Sequence, residues 1–579
     1  MPAGGGNGFP ALGLHPMNSA KPNPAARFLP SLTDVVFLMP VVLLFLRMEG
    51  AKRMLGDGDT GWHIRAGEWI LQHGGVPRTD MFSFTKAGEP WYAWEWLWDV
   101  AFAWLHRQAG MAAVVLASIL VLSFTFALLY RLVLRECPNV LIAFAVTFAA
   151  TAGSTMHWLA RPHLFTLLFV AVFYALLERA RQGRTRLLLL LPPLMVIWTN
   201  IHGGFFVGII LIGCYVAGEL VQWLLEPDPE KARGALLRSR PFLLTGLVSA
   251  AVTLVNPYSY GLHVHMWKFL TGSFHLRYIN EYQPTQFQNG LALWYEPLVL
   301  LGVAAVAWSV YHRRFAHAIM AAGWLHLALF SVRNLPIYLI VAAPCVAGML
   351  YDLLKRVSVA PLASWVGKSL RAFDRFAEEF GANDRIPRLH LASAAGFVAM
   401  ASLFYAPAPP ANFRAEYDVK QYPAAALEVL RGPETARSIF ADDEWGDYLI
   451  YRLYPQTKVF VDGRFDLYGE EFTKKYLDVL NAKYGWEDTL KKYSVDTILL
   501  RVDTPLAGAL KESRRWHPIF DDGMAIVFRS QAALAVRAQP EENQNPAGLP
   551  GRNVRDRVIT RVNPSGPRTT DSKTRSESL

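Results

Sequence analysis

Charged residues and cysteines are scarce in this sequence of 579 residues. Asp, Glu, Lys and Arg make up 18% of it, against about 25% in soluble proteins, and 53% of the residues are hydrophobic. This balance excludes a disordered chain. The three cysteines are an odd number and lie in or beside apolar segments, which excludes a disulfide framework. A compact signal peptide is also missing from the first residues, so we expect the first membrane helix to be retained as an anchor.

Long apolar segments are abundant instead, such as AAVVLASILVLSFTFALLY at 112–130. About 20 apolar residues in helical form span the hydrocarbon core of a bilayer. The sequence therefore predicts a polytopic α-helical membrane protein with about eleven transmembrane helices, and an interfacial helix at 93–107. The predicted membrane helices are 28–48, 110–131, 139–157, 163–178, 187–200, 204–225, 241–256, 291–311, 315–331, 335–354 and 389–406.

The distribution of Lys and Arg predicts the orientation in the membrane. If the N-terminus is cytoplasmic, the predicted cytoplasmic segments contain more than twice as many of these residues as the opposite side. Lys and Arg concentrate in cytoplasmic loops, so we expect a cytoplasmic N-terminus and an extracytoplasmic C-terminal region. The net charge is +10, and the Lys and Arg residues lie between the apolar segments rather than along one face. We therefore predict that the protein's partner is a lipid bilayer and not a nucleic acid.

Composition divides the chain into four predicted regions. Residues 1–27 are rich in Gly and Pro and are predicted to be a disordered cytoplasmic N-terminus. Residues 28–410 form the membrane domain, with a large first external loop at 49–109. Residues 411–530 are predicted to form a small extracytoplasmic α/β domain, and the polar residues 531–579 a disordered tail. Strand-like runs occur in the α/β region at 438–441, 458–463, 496–502 and 524–529, and helical ones at 445–454 and 470–483.

Two acids precede an amphipathic helix in the first external loop. Asp57 and Asp59 come before a predicted helix that runs from Thr60 to His73, with His63 on the same face as Asp59. Two carboxylates and an imidazole could bind a divalent cation such as Mg or Mn, or one carboxylate could act as a general base. Alternatively, Asp59 is an N-cap for the amide of Trp62.

Further polar residues occur where apolar segments meet the external interface, which predicts a shared polar cavity there. The guanidinium groups of Arg161 and Arg333 suit the oxygens of a lipid phosphate, although an arginine at this depth also extends to the head groups for structural reasons. The aromatic stretch from Trp91 to Trp98 predicts an interfacial belt or a sugar-stacking surface. The candidates for substrate or phosphate binding are His63, Arg161, His163, Asn200, His202, Arg333 and Asn334.

This layout resembles the GT-C glycosyltransferases, which include protein O-mannosyltransferases, the lipid A aminoarabinose transferase and oligosaccharyltransferase catalytic subunits. The resemblance rests on the acids Asp57 and Asp59 followed by His63, on the large first external loop, and on the outer C-terminal domain. The segments GDGDTGWHIRAGEWIL and WTNIHGGF look like a bacterial branch of such proteins, which implies a bacterial inner membrane. DEWGDYL at 443–449 lacks the second Trp and the final Gly of the oligosaccharyltransferase signature Trp-Trp-Asp-Tyr-Gly, so asparagine glycosylation is not predicted.

The resemblance implies transfer of a sugar from a polyprenyl-phosphate donor to an extracytoplasmic acceptor. The donor phosphate would lie against Arg161 or Arg333. Asp57 would be the general base or a metal-orienting carboxylate, with Asp59 in support, in an inverting displacement. A lipid or sugar transporter or flippase and a non-catalytic membrane scaffold are the alternatives. A transporter usually has its carboxylates near the bilayer midplane, whereas here the acids crowd the outer interface, which favours an enzyme.

Overall fold

The computed structural model describes residues 27–272, 274–359, 364–384, 386–431 and 438–531. Nearly all of the predicted disordered termini, 1–27 and 531–579, therefore lie outside the described residues. The rest is mostly helical, with one small sheet. Short 3-10 turns connect several helices, at Thr155–His157, Thr185–Leu190, Gly203–Phe205, Asn280–Tyr282, Val332–Asn334 and Ala411–Phe413.

The described residues form helices at every predicted membrane segment. The helices are α1 (Leu32–Arg47), α2 (Ala51–Met54), α3 (Asp59–His73), α4 (Trp96–Glu136), α5 (Val140–Gly153), α6 (His163–Arg181), α7 (Leu191–Ile201), α8 (Phe206–Leu225), α9 (Pro229–Val252), α10 (Tyr260–Thr271), α11 (Phe274–Tyr278), α12 (Ala292–Tyr311), α13 (Phe315–Phe330), α14 (Leu335–Val359), α15 (Ser364–Asp384), α16 (Leu391–Phe404), α17 (Ala426–Leu430), α18 (Asp443–Leu453), α19 (Phe465–Leu480), α20 (Trp486–Lys492) and α21 (Pro505–Lys511).

Six helices among the described residues are long and apolar enough to cross a membrane. They are α4, α6, α8, α9, α12 and α14, of which α8 and α14 are counted together with the 3-10 turns that precede them. Shorter apolar helices accompany them, namely α5, α7, α13 and α16. The chain is thus built as a multi-pass membrane protein, and the total of about eleven crossings stays a prediction.

Helix α4 joins two segments that were predicted as separate helices. Its backbone leaves the helical region at Ala109 and Gly110, where Gly110 has φ +71°. Glycine adopts this conformation without the steric cost that a Cβ imposes. The part of α4 before this break packs against α3, and a side chain at Gly67 of α3 would overlap the backbone of Asp99. This close approach fixes the helix that carries Asp59 and His63.

The C-terminal region contains a five-stranded sheet of order β2-β1-β3-β5-β4. The strands are β1 (Ser438–Phe440), β2 (Lys458–Val459), β3 (Thr497–Arg501), β4 (Trp516–Asp521) and β5 (Ala525–Ser530). Strand β1 pairs in parallel with β2 and β3, whereas β5 pairs antiparallel with β3 and β4. The edge strand β4 was not predicted, because most of its residues are exposed and it contains a proline, so it has no alternating apolar pattern.

The sheet and the first external loop are hydrogen-bonded to one another. The amide of Phe84 donates to the carbonyl of Val459 at 3.1 Å, and the amide of Val459 donates to the carbonyl of Phe82 at 3.1 Å. On α3, Arg65 Nε donates to the carbonyl of Tyr451 in α18 at 2.8 Å. The starts of the two helices adjoin as well, because a Cβ at Gly58 would lie 2.5 Å from the carbonyl oxygen of Glu444.

Candidate functional site

A cavity of about 850 Å³ lies where the start of α3 and the start of α18 meet the ends of several apolar helices. Every predicted site residue except Asn200 lines this cavity. The lining residues from the prediction are Asp57, Asp59, His63, Arg161, His163, His202, Arg333 and Asn334. The predicted shared cavity is therefore present, although the structure does not test the role assigned to each residue.

Asn200 has a structural position instead. Its Oδ1 accepts a hydrogen bond from the indole Nε1 of Trp96 at 2.7 Å, and its Nδ2 donates to the carbonyl of Val255 at 2.8 Å. Asn200 thus connects the end of α7 to the start of α4 and to the residues that follow α9.

The two acids of the first loop share one arginine. Arg161 Nη1 lies 2.8 Å from Asp57 Oδ2, and Arg161 Nη2 lies 2.5 Å from Asp59 Oδ2. Burial raises the pKa of Asp57 to about 6 even though Arg161 acts in the opposite direction. The same two acids raise the pKa of Arg161 well above its ordinary value, against the effect of burial.

The prediction that Asp59 is an N-cap is wrong. Helix α3 begins at Asp59 itself, and Asp57 Oδ1 accepts the hydrogen bond from the backbone amide of Asp59 at 2.8 Å. Asp59 Oδ1 accepts from the indole Nε1 of Trp62 at 3.1 Å rather than from its amide. The side chain of Asp57 is also the more exposed of the two, at 28% against 13%, so Asp57 is the acid that a ligand in the cavity reaches.

The backbone beside Arg161 is tied to the first external loop. The amide of Ala160 donates to the carbonyl of Met54 at 2.7 Å, and the hydroxyl of Thr60 donates to the carbonyl of Ala160 at 3.1 Å. Arg53 Nη2 donates to the carbonyl of Met156 at 2.7 Å. These bonds hold Arg161 in a fixed position relative to Asp57 and Asp59.

Sequence reasoning missed Glu281, a third acid on the same arginine. Glu281 Oε1 lies 3.2 Å from Arg161 Nη1, and its Oε2 lies 3.5 Å from Arg333 Nη1. Although burial raises the pKa of Glu281, Arg161 and Arg333 together bring it below its ordinary value. The available signal was an acid between two tyrosines, in YINEY at 278–282, in a loop that joins apolar segments.

The second cation, Arg333, is held by the same loop. Arg333 Nη1 donates to the hydroxyl of Tyr282 at 2.8 Å. The amide of Val332 donates to the carbonyl of Gln283 at 2.8 Å, and the hydroxyl of Ser331 donates to the carbonyl of Glu281 at 3.2 Å. The end of α13 and the loop around Glu281 therefore present Arg333 to the cavity as one unit.

A chain of hydrogen-bonding groups runs along another wall. His63 Nδ1 lies 2.7 Å from Asp99 Oδ1, and His63 Nε2 lies 3.3 Å from Glu95 Oε2. His202 Nδ1 accepts from the amide of Gly204 at 3.0 Å, so its Nε2 carries the proton and faces Glu95 Oε1 at 3.5 Å. Burial lowers the pKa of His63 and raises that of Glu95 to about 8. Glu95 belongs to the aromatic stretch from Trp91 to Trp98, so this stretch also contributes a carboxyl group to the cavity.

Helix α18 adds acids on the side that faces α3. DEWGDYL is the start of this helix, and Asp442 Oδ1 accepts a hydrogen bond from the amide of Trp445 at 2.8 Å. The segment nevertheless reaches the site, because Asp443, Glu444 and Asp447 line the cavity. Burial and the nearby Asp59 raise the pKa of Asp447 well above its ordinary value.

Gly463 lies between the carboxyl groups of Asp59 and Asp447. Its amide donates to Asp447 Oδ1 at 3.0 Å. A Cβ at this position would lie 2.5 Å from Asp59 Oδ1 and 2.8 Å from Asp447 Oδ2, so only glycine fits there without displacement. Its neighbour Arg464 is buried between Asp80 and Asp462, at 2.7 Å from an oxygen of each, and joins the first loop to the sheet. The segment 462–464 therefore both joins parts of the structure and forms a wall of the site.

Apolar side chains also line the cavity, and some of them are exposed at the surface of the helices. Ile210 of α8, Leu270 of α10 and Phe330 of α13 line the cavity and are 46%, 48% and 52% exposed. Of these three residues, Ile210 lies on a helix that is long and apolar enough to cross a membrane. The cavity is thus lined both by charged groups and by exposed apolar side chains.

The groups at the charged end do not fit the predicted divalent cation as they stand. The carboxylates of Asp57, Asp59 and Glu281 all contact one guanidinium, and both ring nitrogens of His63 are within reach of Asp99 and Glu95. Among the described residues, Glu136, Glu178 and His317 do have ligand atoms within 4.8 Å of one another. That group lies at the other ends of α4 and α6, and Arg314 and Arg181 already pair with its acids.

No family model matches this sequence, and no curated protein is similar to it. Among solved structures, the Archaeoglobus fulgidus oligosaccharyltransferase tethered to an acceptor peptide that contains the NVT sequon matches with a TM-score of 0.51 and 11% identity, over 82% of this chain and 69% of that chain. The same enzyme in the apo form matches with a TM-score of 0.48 and 10% identity, over 82% and 69% of the two chains. The archaeal oligosaccharyltransferase AglB from Archaeoglobus fulgidus, in complex with an inhibitory peptide and a dolichol-phosphate, matches with a TM-score of 0.47 and 12% identity, over 86% of this chain and 74% of that chain. The chain therefore shares the fold of this oligosaccharyltransferase, a protein of one of the kinds that the sequence resembles.

Proposed function

We propose that this protein is a membrane glycosyltransferase of the GT-C type that transfers a sugar from a polyprenyl-phosphate donor to an extracytoplasmic acceptor. The observation that carries the proposal is the cavity itself, which two arginines, several carboxyl groups and exposed apolar side chains line together. A lipid-linked phosphate sugar has a matching arrangement, since an apolar tail, an anionic phosphate and a polar sugar follow one another along the molecule.

The donor is assigned to the side of the cavity that includes Arg161 and Arg333. Guanidinium groups bind phosphate oxygens through paired N–H donors. Ile210, Leu270 and Phe330 are exposed apolar residues that line the same cavity and would contact the isoprenoid chain. The phosphate would then bind at the boundary between the polar and apolar parts of the cavity.

Asp57 is assigned the role of general base. In the proposed step, an acceptor oxygen attacks the anomeric carbon, and the bond from that carbon to the phosphate oxygen breaks. The phosphate leaves with the electron pair, and the acceptor proton passes to Asp57. A pKa of about 6 makes Asp57 a stronger base than an ordinary aspartate while it remains ionised at neutral pH. Attack from the face opposite the leaving phosphate inverts the anomeric configuration.

The experiment that tests this function uses the purified full chain in proteoliposomes. Radiolabelled polyprenyl-phosphate sugars are supplied together with acceptors from the bacterial cell envelope. We expect label to become covalently attached to an acceptor. Movement of labelled lipid across the membrane without attachment would instead identify a flippase or transporter. If the label is neither attached to an acceptor nor moved across the membrane, the protein is a non-catalytic scaffold.

The orientation needed for this function remains a prediction. We expect the N-terminus in the cytoplasm and residues 411–530 outside the inner membrane of a bacterium, since the loop charges favour that arrangement. Reporter fusions that are active only in the periplasm, placed after residue 530 and in the loop between α8 and α9, test it. Activity of the first fusion alone supports the proposal, and activity of the second alone contradicts it.

A further inference from the structure

Arg161 occupies the centre of the acidic end of the cavity. Its guanidinium contacts Asp57, Asp59 and Glu281, which come from the first external loop, from the start of α3 and from the loop before α12. The three oxygens lie 2.5 to 3.2 Å from its terminal nitrogens. Three carboxylates that converge from separate segments are an arrangement that also suits a divalent cation with oxygen ligands.

The guanidinium is part of a rigid framework rather than a surface side chain. Its side chain is 18% exposed, and the adjacent Ala160 is hydrogen-bonded on both backbone groups, to Met54 and Thr60. A cation that bound the same three oxygens would have to displace this positive group, because like charges repel strongly at such short distances in a poorly hydrated site. The positive charge at this end of the cavity is therefore supplied by the protein itself, through the Arg161 guanidinium.

A guanidinium carries five N–H donors. Among the described residues, the contacts to the three acids use both hydrogens of Nη1 and one hydrogen of Nη2. Two donors remain for an anionic ligand, and Arg333 lies on the far side of Glu281, 3.5 Å from it. The acids thus orient Arg161, and its remaining donors are available to phosphate oxygens.

We propose that the Arg161 guanidinium takes the place of a divalent metal ion at this site. It neutralises Asp57, Asp59 and Glu281 and, on the basis of the function proposed above, stabilises the negative charge on the departing phosphate. The protein then needs neither Mg nor Mn for transfer. Removal of the guanidinium leaves Asp57 and Asp59 without an ion-pair partner among the described residues and leaves Glu281 with Arg333 alone, which converts the site into one that binds a divalent cation.

Mn²⁺ binding tests this proposal without any enzymatic assay. The full chain, purified in detergent with its affinity tag removed, is titrated with Mn²⁺, and the free ion is measured by electron paramagnetic resonance. We expect no stoichiometric binding by the wild-type protein and one bound Mn²⁺ in Arg161→Ala. The additional substitution Asp57→Asn should abolish this gained binding. Arg333→Ala is the matched control, because it removes an arginine from the same cavity and leaves Arg161 in place, so it should gain no site.

Two results overturn the proposal. One is a stoichiometric Mn²⁺ site in the wild-type protein that Asp57→Asn removes, a measurement that needs no folded Arg161 variant. The other is a folded Arg161→Ala protein that binds no Mn²⁺, which would show that the three acids do not form a cation site. If no sugar transfer is found but the titrations follow the expectation, the proposed function fails while the assignment of Arg161 as the cation stands.

A transfer assay adds a second readout where activity is present. We expect EDTA to leave the wild-type rate unchanged, whereas Mn²⁺ should partly restore the rate of Arg161→Ala. Loss of wild-type transfer in EDTA with recovery on addition of Mn²⁺ would contradict the proposal and leave the glycosyltransferase function intact.

Discussion

Acids, arginines and histidines form clusters at both ends of α4 and α6, and the two clusters differ in how their charges are paired. At one end, Arg314 pairs with Glu136 at 2.6 Å, and Arg181 pairs with Glu178 at 2.9 Å. Glu178 also accepts hydrogen bonds from Tyr215 and contacts His317 at 3.0 Å. The adjoining space is only about 10 Å³, so these groups are satisfied by one another and have no room for a ligand.

The cluster at the other end has the opposite character. Three acids share Arg161, further acids from α18 adjoin them, and all face a cavity of about 850 Å³. Residue types alone therefore do not distinguish a structural ion-pair cluster from a candidate site. The two kinds of cluster are distinguished by the ratio of acids to arginines and by whether there is space for a ligand.

The largest expected effect is that of Asp57→Asn. The amide retains the shape of the side chain but accepts no proton from an acceptor, so we expect a loss of transfer rate of roughly a hundredfold to ten-thousandfold. Asp503→Asn, at an exposed position of the C-terminal region, is the matched control and should leave the rate unchanged. Transfer of radiolabelled sugar by folded protein measures both. A near-normal rate for Asp57→Asn removes Asp57 from its assigned role.

The next largest effects are expected for two arginine substitutions, one in each cluster, which distinguish the roles of the two clusters. Arg161→Ala in EDTA removes donors to the departing phosphate, and we expect a loss of roughly a hundredfold to a thousandfold in transfer rate. Arg314→Ala leaves Glu136 without its partner, and we expect a cost of about 1 to 3 kcal/mol in stability with the rate of the folded protein retained. Melting temperature and rate are measured on the same samples. Equal loss of rate in both variants would refute the distinction between the clusters.

A smaller effect is expected for Gly463→Ala. The added methyl group would lie 2.5 Å from Asp59 Oδ1 and 2.8 Å from Asp447 Oδ2, so one of the carboxyl groups must shift. Overpacking of this kind costs about 1 to 3 kcal/mol, which corresponds to roughly a tenfold to hundredfold loss of rate if it falls on the transition state. Gly508→Ala is the control, because no atom lies within 4 Å of its added methyl group. Unchanged transfer by Gly463→Ala would place this glycine outside the site.

The smallest effect concerns pH. The pKa of Asp57 is raised to about 6, so Asp57 is an ionised base above this pH and protonated below it. The transfer rate should halve near pH 6 and fall about tenfold for each further unit of acidification. The pH dependence of kcat/KM measures this. A rate that stays level down to pH 4 would contradict the assignment of Asp57 as base.

The sequence predicts the helices well because apolar length is a local property. It predicts the shared cavity because Asp57, Arg161, His202 and Arg333 all lie where apolar segments end. It does not predict which partners they have. Asn200 has the same sequence context as His202, yet it bonds to Trp96 and Val255, since pairing depends on how helices distant in sequence pack.

The acids that sequence reasoning missed illustrate the same limit. Glu281 comes from a loop more than a hundred residues away from Arg161, and Asp447 belongs to a helix start with a sufficient structural explanation of its own. Each joins the site only through tertiary contacts, such as those of Arg65 with Tyr451 and of Val332 with Gln283. Short-range patterns carry no information about such contacts.

Photo-crosslinking shows whether a lipid-linked phosphate binds in the large cavity. A polyprenyl phosphate with a photoreactive group in its first isoprene units is irradiated with the full chain, and the labelled residues are identified by mass spectrometry. We expect labelling around Ile210, Leu270 and Phe330, and we expect a lipid-phosphate sugar without the photoreactive group to suppress it. Labelling spread evenly over the lipid-facing helices, or concentrated around Glu136 and Glu178, would contradict this expectation.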